Sequence, residues 1–177
     1  FDRSASPSSG ADDLRPCPPD GRFAFFVDAA PRQILAGLPT LRADLVDATD
    51  ALDPEAARRL VESYLSLGFG AEAAAIAAQT PMPDRPAALY RSLARILDRG
   101  EDSATSVWSG LQRCPSPAAL WSVLGHVPAE GDPPVDAGAL QLAYFELPAH
   151  LRIQVGADLA ARLRNLGLAA AAAAIER

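Results

Sequence analysis

Apolar residues recur at helical spacing through most of this chain, and turn-forming residues divide the pattern into short segments. Leu41, Leu45, Ala48 and Leu52 form one stripe. Ala57, Leu60, Val61, Tyr64 and Leu67 form a second, and Leu89, Leu93, Ile96 and Leu97 a third. Period-two alternation of Val, Ile, Thr and Tyr is nearly absent, which argues against a sheet. The punctuation then predicts helices. Pro31 opens one that ends near Gly37-Leu38-Pro39, and Thr40 caps another over 41–52. Asp53-Pro54-Glu55 reads as N-cap, first-turn proline and first-turn acid for a helix over 54–67. Gly68 closes that helix in a left-handed cap, and a partner helix follows over 70–79. Beyond the Pro-rich segment 80–86 the pattern predicts helices over 87–98, 102–113, 118–124, 136–146, 148–166 and 168–177. Gly100, Pro115-Ser116-Pro117 and the loop 127–135 break them.

The ends of the helical region differ from its middle. Residues 1–20 are rich in Ser, Pro, Gly and Asp and read as a flexible linker or tail, leaving 21–177 as a single domain. The sequence opens without Met and closes inside an expected helix, so we expect a fragment of a longer protein. Phe23-Ala24-Phe25-Phe26-Val27 is the densest aromatic cluster. It is either a short extended segment or the first packed element, and its expected role is to plug the apolar end of the helix stack. Trp108 and Trp121 stand at helical spacing with other apolar residues, so core burial is their expected place.

A constant offset of 99 residues relates two of the segments. Leu60, Tyr64, Leu67, Gly68, Phe69 and Ile76 align without a gap on Leu159, Leu163, Leu166, Gly167, Leu168 and Ile175. That offset is three periods of about 33–34 residues, the length of a helix–turn–helix repeat unit. Leu60, Tyr64, Gly68, Glu72 and Ala73 resemble the tetratricopeptide repeat, with a large apolar residue and an aromatic in the first helix, glycine at the turn and Glu-Ala opening the second helix. Gly100 lies 32 residues after Gly68, and Ile96 stands at the aromatic position of a middle unit. The resemblance covers about half the chain. It implies an all-α, right-handed array of antiparallel helix hairpins that binds a protein or peptide in the groove lined by the first helices. Tyr64 is then an expected contact.

Composition narrows the chemistry. The 177 residues carry a formal net charge of −6, and all sixteen basic residues are Arg. An acidic chain without a basic cluster is a poor partner for nucleic acid. The Arg-for-Lys bias with abundant Ala, Gly and Pro reflects a GC-rich genome rather than a physical demand. No apolar run is long enough to insert in a membrane. Two Cys and two His give no metal spacing, and no nucleophile stands beside either His. His126 at a helix end and His150 at a helix start read as capping or solvated residues rather than catalytic ones. No catalytic group, metal or cofactor is expected. Arg91, Arg95 and Arg99 recur at i, i+4 and form a basic stripe, suited to an acidic peptide or to acids on a neighbouring hairpin. Asp44, Asp47 and Asp50 form an acidic stripe on the helix expected from Leu41, more simply a solvated face. Cys17 and Cys114 are either two separate thiols or one disulfide, which would pin the N-terminal segment and point to a periplasm-like compartment. The leading expectation is a non-catalytic interaction module of a larger, exported protein. A spacer or dimerisation domain is the alternative, followed by an accessory domain of an enzyme.

Overall fold

In the computed structural model, the described residues are 16–27, 30–46, 51–80, 84–102, 107–126 and 132–177. Among them every regular element is helical, and a single bridge pairs Val46 with Leu52. The helices are α1 (Ala24–Val27), α2 (Pro31–Ala43), α3 (Pro54–Ser66), α4 (Gly70–Gln79), α5 (Asp84–Arg99), α6 (Ala118–Gly125), α7 (Ala137–Glu146), α8 (Ala149–Asn165) and α9 (Ala169–Ile175).

The caps expected at the two ends of the helix over 54–67 are where the sequence places them. Asp53 accepts from the amides of Glu55 and Ala56 and starts α3. At the far end, Phe69 N donates to Tyr64 O and Gly68 N to Leu65 O, with Gly68 at φ 80°. That pair of bonds is the Schellman ending, and its left-handed residue favours glycine. The same pattern closes α8: Leu168 N donates to Leu163 O and Gly167 N to Arg164 O, with Gly167 at φ 74°. The aligned residues therefore build two equivalent turns, and α3–α4 and α8–α9 both fold as hairpins.

Two expectations fail. Thr40 does not cap a helix over 41–52, because α2 runs through Pro39 to Ala43 and the chain then turns into the Val46–Leu52 bridge. A proline in a helix removes one donor. Here the carbonyl four residues back belongs to Leu35, a residue 47% exposed, so the missing donor falls on a face open to solvent. The acidic stripe goes with that helix: Asp44 becomes the C-cap of α2, and Asp47 and Asp50 lie outside the described residues. The second failure is 102–113. Residues 103–106 lie outside the described residues, and 107–113 form a turn through Gly110 and a 3-10 turn at Leu111–Arg113. Trp108 explains why. Its indole is fully buried and its Nε1 donates to Ser92 Oγ at 2.5 Å, while its carbonyl accepts from Ser122 Oγ at 2.9 Å. Binding both α5 and α6 holds this segment in a shape a helix cannot take.

The core runs between the helices and is closed at one side by the N-terminal segment. Phe23 and Phe26, each 1% exposed, stack on Trp108 and Trp121 at centroid distances of 6.5 and 4.5 Å. Burying two such rings contributes about 1.5–3 kcal/mol each. The aromatic cluster is thus a helical plug, and both tryptophans are core residues. A disulfide joins Cys17 to Cys114 with the Cα atoms 5.6 Å apart, so residues 16–20 of the expected tail are tied to the helical domain. Residues 1–15 lie outside the described ones.

Candidate cleft at three helix ends

Helix α8 decides the shape of the surface. Its side chains reach the C-terminal ends of three earlier helices. His150 Nε2 lies 2.8 Å from Ser66 O, and Gln154 Nε2 donates to Gly68 O and Leu97 O at 3.0 and 2.7 Å. Arg162 donates to Gly100 O at 3.1 Å and to Val123 O at 3.5 Å. Carbonyls in the last turn of a helix have no partner within it. Here α8 supplies those partners to α3, α5 and α6. In a regular solenoid each unit touches only its neighbours. The contacts of α8 with the end of α3 join two hairpins that lie 84–86 residues apart in sequence.

A cleft of about 530 Å³ opens where the ends of α5, α6 and α8 meet. Arg99, Glu101, Asp158, Arg162 and Asn165 bring polar groups to it, and Val123, Ala161 and Leu166 supply apolar wall. A second hollow of about 280 Å³ adjoins it and shares Arg99, Gly100 and Asp158. Gly100 stands at φ 78°, and a Cβ there would lie 2.7 Å from Asp158 Oδ2, so the carboxylate sits against bare backbone.

The expected contact residues do not converge. Of Tyr64, Arg91, Arg95 and Arg99, Arg99 lines the cleft, with its side chain 73% exposed and 3.5 Å from Asp98. Arg95 turns to the fully buried Asp102 carboxylate, with Nε at 2.7 Å and a second bond at 3.1 Å. Arg91 is exposed elsewhere on α5. Tyr64 is 4% exposed, and its hydroxyl accepts from Arg42 Nε at 2.7 Å under the guanidinium. The basic stripe of the sequence is therefore not a ladder in one groove. Asp158, Glu101 and Arg162 were not singled out by sequence. They are scattered over 62 residues, and their approach depends on α8 crossing the end of α5.

Shifted titrations fall outside the cleft. Arg58 bridges Glu55 and Glu62 along α3, and Tyr90 donates to Glu62 at 2.5 Å. Burial first, and then the Glu62 carboxylate, push the Tyr90 hydroxyl up. The hydrogen bond from Arg58 pulls the Glu55 carboxyl down. These groups knit α3 to α5. Among the described residues no group of His, Cys, Asp and Glu is placed to hold a metal ion. No described helix is long and apolar enough to cross a membrane.

No protein-family model matches this chain, and no curated protein or solved structure is significantly similar to it.

Proposed function

We propose that this chain is a non-catalytic, tetratricopeptide-like interaction module that takes a segment of a partner protein in the cleft between α5, α6 and α8. The observation that carries the reading is the cleft itself. Its volume of about 530 Å³ suits a few side chains of a peptide, and fixed charges beside a short apolar wall are what orient such a ligand. The two matched turns support a repeat ancestry, and repeat domains typically act by binding. The Cys17–Cys114 disulfide is compatible with an oxidising compartment and supports a search for the partner in the periplasm or cell envelope.

Selection from a displayed random-peptide library on the intact, oxidised chain tests this. Enriched peptides should lose binding when Ala161→Trp fills the cleft, with helicity and melting temperature retained. No enrichment, or equal binding to Ala161→Trp, would overturn the proposal. A second reading, a dimerisation domain, draws on Leu142, Phe145 and Ile153 of α7 and α8, which are 63%, 51% and 82% exposed. A sedimentation profile independent of concentration would remove it.

A further inference from the structure

We infer that the cleft selects a basic segment, one carrying Arg or Lys side chains, rather than the acidic peptide the Arg stripe suggests. This rests on the reading of the cleft as a peptide site. Three helices end at or beside the cleft: α5 at Arg99 and α8 at Asn165, both in its wall, and α6 at Gly125, two residues past the lining Val123. Each C-terminus carries roughly half a negative charge in its last carbonyls. Asp98, Glu101 and Asp158 add three full negative charges in the cleft and the adjoining hollow. Arg99 and Arg162 are the two cations opposing them. Both are already engaged. Arg162 spends its guanidinium on the carbonyls of Gly100 and Val123, and Arg99 lies beside Asp98. The balance is negative, and the carboxylates of Glu101 and Asp158 belong to exposed residues. An incoming guanidinium or ammonium would meet Asp158 against the bare backbone of Gly100, with Glu101 one residue on. An incoming carboxylate would meet the same acids and helix ends, and among the lining residues Arg99, already beside Asp98, is the one exposed guanidinium that could receive it.

Three capped octapeptides test the sign: alternating Ala and Arg, Ala and Glu, and Ala and Gln. Each carries fluorescein, and anisotropy is read with the oxidised chain at low salt. The Arg peptide should bind and weaken with added salt. The double variant Asp158→Asn/Glu101→Gln should lower its affinity about tenfold, from roughly threefold per exposed carboxylate. Asp44→Asn/Glu146→Gln carries the same charge change at residues that line neither the cleft nor the adjoining hollow and should leave the affinity unchanged. Both double variants should keep the melting temperature of the parent. Preference for the Glu peptide, lost on Arg99→Glu, would overturn the basic selection and leave the peptide site standing. Equal weakening by the two double variants would show attraction to the net charge and overturn the inference. Equal, negligible binding of all three peptides would overturn both readings.

Discussion

The turns at Gly68 and Gly167 have the same backbone but different surroundings. Both end a helix with the same two hydrogen bonds, and both hold glycine at nearly the same φ. A Cβ at Gly68 would collide with Gln154 Oε1 and lie 3.3 Å from Leu151, because α8 lies over that turn. A Cβ at Gly167 would meet nothing within 4 Å. The aligned outer faces differ as well. Glu55, Arg58 and Glu62 form an ion-paired ladder on α3. Their counterparts at the same offset are Gln154, Ala157 and Ala161. Gln154 tethers α8 to α3 and α5, and Ala161 lines the cleft. One hairpin thus pairs its charges along α3 and ties Glu62 to Tyr90 of α5, where the other reaches two helix ends and lines the cleft. The local motif sets the turn, and position in the array sets what the turn does.

The largest effect tests whether the two hairpins share one folding unit. Reducing Cys17–Cys114 should cost roughly 4 kcal/mol, because the bond closes a loop of about a hundred residues in the unfolded chain. Urea unfolding with and without reductant should show both hairpins losing stability together. Two separate transitions would break the comparison, since each turn would then belong to its own unit. Next comes Gly68→Ala against Gly167→Ala. The left-handed conformation penalises both by about 1 kcal/mol. Gly68→Ala also displaces Gln154 from two carbonyls, at about 1 kcal/mol each. Denaturation midpoints should therefore fall about three times further for Gly68→Ala. Equal losses would mean that α8 does not press on the first turn.

Gln154→Ala should cost about 2 kcal/mol on its own. Combined with Gly68→Ala, the sum should be clearly less than additive in a double-mutant cycle, because both changes remove the same bonds. Full additivity would sink the coupling. Asp53→Ala should cost about 1 kcal/mol through the lost cap of α3. Helix α8 starts at Pro148 without a side-chain cap, so no equivalent change exists there. The smallest effect is acid sensitivity. Glu55 is held below its ordinary value of 4.5 by the Arg58 hydrogen bond. Its contribution is present above that value and is lost as pH falls through the lower folded value. Stability of Glu55→Gln should change less between neutral pH and pH about 3 than that of the parent.

Local patterns carried the elements that sequence could read. Asp53-Pro54 and Gly68 state the start and stop of α3 in their own chemistry, and the 99-residue offset carried that reading to Gly167. Acidity, helix content and the pairing candidates Cys17 and Cys114 were legible for the same reason: each depends on residue type or short-range spacing. Tertiary contact decided the rest. Pro39 signals a break, yet α2 continues because the lost bond falls on an exposed face. Residues 107–113 have helical composition, yet Trp108 is held by Ser92 and Ser122 from two other helices. The three Arg share one face of α5, but a buried carboxylate seven residues on takes Arg95 out of the stripe. The cleft is furthest from the sequence, since its charges meet through α8 crossing the end of α5, a contact made between residues 62 positions apart. Side-chain spacing reports on one helix at a time. Which helix ends converge depends on how all of them pack, and the sign of the field in this cleft follows from that convergence.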